Sequence, residues 1–295
     1  SLCMHRAYMS HARAATLVAL LGVDQWRRPS DNPLIVHVSS MEMLHTVAAS
    51  VPPKVAEFLT RSQFWPGPLT LILKAGERAK PFVTGGQPSV GIRVPSHPVA
   101  QALLMAFGGG VAAPSANRFG RISPTTAAHV REDLGSDVDL VLEGGPSEVG
   151  IESTIVDLSQ GGFSVLRPGR ISLQEIEDAL QAKSRAPSLA VRHSGGLERH
   201  YAPSTPAKLV PTHLLDKEIA RLGEKVAVLA FSRPDERVDY WIRMPREPVG
   251  YAQRLYAALR ELDGAGCEQI LVEAPPEAAE WDAVRDRLRR ACNRE

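Results

Sequence analysis

Cysteine is scarce in this chain: Cys3, Cys267 and Cys292 are the only three, and they show no metal-binding spacing. That excludes a disulfide scaffold and reads as free thiols in a reducing compartment. The nine histidines form no HExxH or His-x-His pattern, so no metal site is assigned. An excess of charge of one sign is missing too. With a net charge of +1 over 295 residues, no global field draws in nucleic acid or an anionic membrane, and any basic function has to be local. Long hydrophobic runs are absent. The longest early one, Ala14 to Val23, is too short to span a bilayer. Arg6 and Arg13 ahead of it imitate a signal peptide, but Asp24-Gln25-Trp26 stand where small residues would mark cleavage. We expect a buried helix there, no membrane segment and a cytoplasmic protein. There is no Walker glycine loop, no GxGxxG and no internal repeat, so a nucleotide would have to be held by side chains. Nor does a nucleophile stand beside its base, so no catalytic residue is assigned beyond binding groups. Positioning and charge stabilisation are favoured over covalent chemistry.

What is present is an alternation of short apolar runs with helical patterns. With 44% hydrophobic residues the chain can build two cores. Strands are expected at Leu34 to Val38, Leu69 to Leu73, Val90 to Val94, Val138 to Leu142, Thr154 to Leu158 and Phe163 to Leu166. Helices are expected at Lys54 to Leu59 behind Pro52-Pro53, Val99 to Phe107 ahead of the glycines 108–110, Thr125 to Leu134 with Ser123 as a cap, and Leu173 to Ala182. Ser39-Ser-Met-Glu42 reads as a capping box opening another helix. Residues 183–206 hold Pro187, Gly195-Gly196, Pro203 and Pro206 without apolar period, a linker composition. Beyond them lies a second, smaller α/β unit. It has a strand at Lys225 to Phe231, a helical face of Ala252, Leu255, Tyr256, Leu259 and Leu262, a strand at Ile270 to Glu273, and a last helix lined by Trp281, Val284, Leu288 and Ala291. The expected organisation is a domain over 1–185, a linker or lid over 186–206 and a C-terminal domain over 207–295.

Polar groups cluster where apolar strands end, the place where open α/β sheets put their ligands. They are Arg28 and Asn32 before the first strand and His37 near its end. Ser89 and Arg93 follow in Ser-Val-Gly-Ile-Arg93, then Ser115 and Asn117 in Ala113-Pro-Ser-Ala-Asn117, with Thr125 after them. Ser153 in Glu-Ser-Thr-Ile-Val-Asp157 and Arg167 in Leu-Arg-Pro-Gly complete the set. Taken singly, each has a plain structural reading: a solvated strand-end charge, a core histidine, a turn asparagine, a strand hydroxyl. Arginine forks converging with hydroxyls suit a polyanion.

The ordered set resembles the YrdC-like family. It is carried by Arg28-Pro-Ser-Asp-Asn32-Pro-Leu-Ile-Val-His37, Pro66-Gly-Pro-Leu-Thr-Leu-Ile-Leu, Val90-Gly-Ile-Arg-Val-Pro, Ala113-Pro-Ser-Ala-Asn, Glu152-Ser-Thr-Ile-Val-Asp and Leu166-Arg-Pro-Gly. The linker Gly195-Gly-Leu-Glu-Arg-His200-Tyr-Ala-Pro203 and the second unit resemble the family's long, two-domain form. The resemblance implies an α/β fold: a YrdC-like twisted open sheet with flanking helices, plus a smaller Rossmann-like C-terminal α/β domain. It implies a nucleotidyltransferase reaction in which L-threonine and bicarbonate form a carbamate that attacks ATP. The products are threonylcarbamoyl-AMP, destined for threonylcarbamoyladenosine in tRNA, and pyrophosphate. ATP is then a substrate, Mg²⁺ its companion, and the tRNA threonylcarbamoyl-transfer machinery the partner that takes the product. By resemblance His37, Arg93, Ser115 and Ser153 hold threonine or its carbamate. Arg28, Asn32, Ser89, Asn117, Thr125 and Arg167 hold the nucleotide, and His200 and Tyr201 close over it. The family pattern also has an earlier strand and a Pro-Thr-Glu-Thr-type loop, not found in residues 1–25, and a lysine and a glycine where Trp26 and Arg27 stand. That departure keeps an alternative open: a catalytically weakened YrdC-like protein that binds nucleotide, or RNA weakly.

Overall fold

The structure, a computed structural model, describes residues 2–4, 29–188, 190–223 and 225–292. Arg28, Trp26, Arg27 and the helix expected at Ala14 to Val23 lie outside them. The chain forms two compact units, one of residues 1–116, 127–145 and 152–196, the other of 117–126, 146–151 and 197–295.

In the first unit, β1 (Leu2–Met4) pairs antiparallel with β6 (Leu140–Leu142) as a separate ribbon. The main sheet has six strands: β2 (Ile35–His37), β3 (Leu69–Lys74), β4 (Ser89–Arg93), β5 (Val111–Ala113), β7 (Thr154–Asp157) and β8 (Ser164–Arg167), in the order β5-β2-β4-β3-β7-β8. The sheet is mixed: β2 runs parallel to β4 and β3 to β7, while β5, β8 and the β3–β4 pair are antiparallel. Side chains alternate across a pleated strand, so each strand contributes to two different faces. Val36, Leu69, Leu71, Leu73, Val90, Ile92 and Val156 fall on one face and form its core. Two helices supply the other side of that core. In α1 (Pro53–Ser62) the buried Val55, Phe58 and Leu59 recur at helical spacing, and proline sits at the first turn. In α5 (Leu173–Leu180), Ile176 is buried and a capping box starts the helix: Ser172 Oγ accepts from Glu175 N at 3.2 Å, and Glu175 Oε2 accepts from Ser172 N at 2.8 Å. Short α2 (Pro81–Thr84), α3 (Pro98–Phe107) and α4 (Ala127–Leu134) complete the unit. α3 stops where Gly108 takes φ 68°, a left-handed cap that glycine adopts without strain.

Two local expectations differ from the structure. The segment after Ser40 is a 3-10 helix, Met41–Thr46, whose capping side chain makes no bond to the helix backbone. β-branched Thr46 bonds back to the carbonyl of Met43 instead, at 2.6 Å. α4 starts at Ala127 rather than Thr125. The carbonyl of Ser123 accepts from Arg260, and that of Thr125 from Ser147 N at 2.8 Å.

The second unit holds a parallel four-stranded sheet, in the order β11-β10-β12-β9. It is built from β9 (Ala207–Val210), α6 (Leu215–Leu222), β10 (Val226–Ala230), β11 (Tyr240–Arg243), α7 (Pro248–Asp263), β12 (Gln269–Glu273) and α8 (Asp282–Cys292). Val226–Ala230 is buried along its whole length, as a parallel strand covered on both faces must be. One face meets α7 and α8 through Leu255, Tyr256, Leu259 and Leu288, and the other meets α6 through Leu215 and Ile219. β9, α6 and β11 have no counterpart in the sequence reading. Each is short or strongly amphipathic, without the long apolar run that marks β10. Ile122 and Ile151 join the α7 core, so two pieces of the chain's first half belong to this unit.

Candidate anion-binding face

The second face of the six-stranded sheet carries the chemistry. Opposite the apolar core lie Ser89, Gly91 and Arg93 of β4, Thr70 and Ile72 of β3, His37 of β2 and Ile155 of β7. His37 pairs with Arg93 in register, so both leave the sheet at the same end. β3 begins at that end, β7 begins beside it, and antiparallel β8 finishes there with Arg167 opposite Ile155. His37, Arg93, Ser153 and Arg167, distant in sequence, are thereby brought together.

Their bonds show how the group is held. Arg167 is 2% exposed. Its Nε donates to the Ser153 carbonyl at 3.0 Å, Nη2 to Ser153 Oγ at 3.1 Å and Nη1 to the Ser194 carbonyl at 2.8 Å. The Ser153 and Thr70 hydroxyls share a hydrogen bond of 2.7 Å. Arg93 Nε donates to the Gly67 carbonyl at 2.9 Å, which aims the fork and leaves its terminal nitrogens for a ligand. Neither arginine has a carboxylate partner among the described residues. Burial and the nearby Arg167 charge push the Arg93 guanidinium down to about 10. Burial, then the charge of Arg93, pushes the His37 ring down to about 3, so His37 is neutral at pH 7. His37 Nδ1 is sealed from solvent without a hydrogen-bond partner. A buried and a half-buried cation, a neutral imidazole and two hydroxyls, with no acid among the arginines' ion-pair partners in the described residues, are chemistry that suits an anion such as a carboxylate, carbamate or phosphate.

The remaining expected residues are placed differently. Ser89 shares the face of Arg93 but begins β4. It therefore stands four residues, roughly 13 Å, along the strand. β5 is antiparallel to β2, with Ala113 opposite Ile35, so Ser115 leaves the sheet at the Ile35 end, where Asn32 also lies. Strand direction, which the sequence does not reveal, decides at which end of the sheet the chain enters β2 and β4 and leaves β5. Asn117, Thr125, His200 and Tyr201 belong to the second unit. Asn117 is buried; its Nδ2 donates to the carbonyls of Arg118 and Arg121 at 2.8 and 3.0 Å, and Oδ1 has no partner. His200 and Tyr201 are buried beside one another, their ring centroids 4.2 Å apart.

Sequence reasoning missed Thr70, Gly67 and Ser194. Thr70 left one signal, a lone hydroxyl inside Leu-Thr-Leu-Ile-Leu; the other two act through backbone carbonyls, which no side-chain pattern reveals. No cluster of three His, Cys, Asp or Glu exists among the described residues. No helix among them is long and apolar enough to cross a membrane.

Fold and site together define an α/β protein of two compact units with two arginines, free of carboxylate partners among the described residues, on one sheet face. Residues 23–169 match the family described as Sua5_yciO_yrdC, Telomere recombination, and residues 171–293 match the Threonylcarbamoyl-AMP synthase, C-terminal domain. A Threonylcarbamoyl-AMP synthase of Pyrococcus abyssi is 36% identical over 90% of this chain and 81% of its own length. One of Bacillus subtilis is 35% identical over 90% and 80%. The crystal structure of P. abyssi Sua5 complexed with L-threonine superposes with a TM-score of 0.84 at 33% identity, covering 92% of this chain and 83% of that one. The chain belongs to the Sua5/YrdC family of threonylcarbamoyl-AMP synthases, in its two-domain form.

Proposed function

We propose that this chain makes threonylcarbamoyl-AMP from L-threonine, bicarbonate and ATP. The observation that carries the reading is the Arg93–Arg167 pair, Arg167 buried and Arg93 half-buried, neither with a carboxylate partner among the described residues. In the proposed reaction the threonine amine bonds to the carbon of bicarbonate with loss of water, giving a carbamate. A carbamate oxygen then bonds to the α-phosphorus of ATP as the bond to the β-phosphate oxygen breaks, and pyrophosphate leaves with that electron pair. Negative charge is present throughout and shifts towards the leaving group.

Arg93, with free terminal N–H groups, holds the threonine or carbamate carboxylate. Ser153 bonds Arg167 and His37 pairs with Arg93 in register, and neutral His37 accepts or donates a hydrogen bond without adding charge. Arg167, locked by three bonds, supplies fixed positive potential that needs no reorganisation as charge moves. Ser115 for threonine, and Arg28, Asn32, Ser89, Asn117, Thr125, His200 and Tyr201 for ATP, are assigned by resemblance. The unpartnered Oδ1 of Asn117 suits a ligand N–H. A solved P. abyssi Sua5 variant has an adjacent histidine and tyrosine replaced by alanine, and this chain has one adjacent His-Tyr pair, His200-Tyr201. Mg²⁺ would travel on the phosphates of ATP. The product passes to the tRNA threonylcarbamoyl-transfer machinery.

The test is incubation with ATP, L-threonine and labelled bicarbonate. Label in threonylcarbamoyl-AMP with stoichiometric pyrophosphate supports the reading. ATP binding without product would support a nucleotide-binding protein instead.

A further inference from the structure

The last helix carries an ion cluster that this reaction does not use. Arg287 on α8 is fully buried, 0% exposed. Asp286 beside it, also buried, accepts from Arg287 Nη1 at 2.7 Å and from Arg290 Nε at 3.1 Å. This cluster faces one segment of the former linker. The Arg287 guanidinium carbon lies 5.5 Å from the centre of the Tyr201 ring. Arg290 Nη1 donates to the Leu197 carbonyl, and the Arg290 carbonyl accepts from His200 N at 3.3 Å. Tyr256 of α7 backs the Tyr201 ring at 5.6 Å between centroids. Tyr201 itself is held at φ 61°, a left-handed conformation that a tyrosine adopts only under constraint.

Burying an arginine to make stability alone is poor economy, because apolar residues of similar volume do as well or better. A guanidinium does what a leucine cannot: it joins a carboxylate on one side to an aromatic face on the other. We propose that Asp286, Arg287 and Arg290 are positioning residues that fix the backbone and rings of residues 197–202, and so present His200 and Tyr201 in one conformation. The C-terminal unit thereby acts as the mount for that segment. The inference rests on the reading that His200 and Tyr201 serve the synthase reaction.

The experiment uses the full chain with Arg287→Met, Arg287→Lys and Arg290→Gln. Hydrogen exchange is followed by mass spectrometry, with steady-state pyrophosphate release and calorimetric threonine binding alongside. In Arg287→Met we expect exchange in peptides covering 197–203 to rise about tenfold while the six-stranded sheet stays protected. Turnover should fall about tenfold or more, with threonine affinity within about twofold. Arg287→Lys, which keeps the charge, should recover part of both losses. If Arg287→Met fails to fold, Arg290→Gln, which leaves Arg287 and Asp286 paired, must show the same local rise. Unchanged exchange at 197–203 in the folded variants overturns the proposal. So does raised exchange with unchanged turnover in an active enzyme. If the unsubstituted chain makes no threonylcarbamoyl-AMP, the proposed function fails, and the exchange measurement still decides whether the cluster holds the segment.

Discussion

Arg93 and Arg167 end neighbouring regions of one sheet close enough for the Arg167 charge to lower the Arg93 pKa, and no carboxylate pairs with either among the described residues. The two are not equivalent. Arg167 is bound by Ser153 and Ser194, whereas Arg93 has one anchored nitrogen and a free fork. Removing Arg93 takes away a repulsion along with one bond to Gly67. Arg93→Gln is therefore expected to be as stable as the parent within about 1 kcal/mol. Threonine affinity should fall about a hundredfold, the scale of a lost charge-assisted fork. Thermal unfolding and calorimetric titration check the pair of outcomes. A variant that loses stability but keeps threonine binding contradicts the assignment.

Arg167 should behave in the opposite way. Arg167→Met strands the Ser153 and Ser194 acceptors, and we expect about 2–4 kcal/mol of destabilisation alongside lost activity. Denaturant unfolding measures it. A stability equal to that of Arg93→Gln would show that the Ser153 and Ser194 bonds contribute nothing.

His37 makes stability depend on pH. Its folded pKa of about 3 lies below the ordinary value of 6.5. Below pH 6.5 the unfolded chain takes up a proton that the folded chain refuses, so the His37 contribution is intact above that pH and is lost progressively as pH falls towards 3. His37→Gln should flatten this part of the stability profile. Identical slopes for both proteins between pH 6.5 and 4 would rule out the buried neutral ring.

Gly150 tests the packing of the second unit. It has φ 79°, and a Cβ there would lie 2.3 Å from the Ala252 carbonyl oxygen. Gly150→Ala should cost about 3 kcal/mol or more, from strain and collision together. Gly145 has φ 76° and nothing within 4 Å of its would-be Cβ. Gly145→Ala should cost only about 1–2 kcal/mol, the left-handed strain alone. Equal costs would contradict the Gly150–Ala252 approach.

The sequence shows most of the elements because their signals are local. Val55, Phe58 and Leu59 recur at helical spacing behind Pro53, and Gly108 punctuates α3. Arg93, Arg167, His37 and Ser153 are legible as chemistry-bearing residues at strand edges. What the sequence hides is direction and distance. β5 runs antiparallel to β2 and ends at Ala113 opposite Ile35, and no side-chain pattern encodes that direction. The Ser194 carbonyl that holds Arg167 is invisible for a different reason: every residue has a carbonyl. Linker composition likewise says nothing of Tyr201 being buried against Tyr256, because the partner lies on a helix far along the chain.

The most direct test of the account is formation of threonylcarbamoyl-AMP by the chain and by Arg93→Gln, measured with labelled bicarbonate at saturating ATP and over a range of L-threonine concentrations. The account predicts labelled product from the parent and a fall in kcat/KM for threonine of about a hundredfold or more in the variant, with the fold intact. Equal kcat/KM in the two proteins would contradict it, because the anion receptor on the sheet face would then have no part in the reaction.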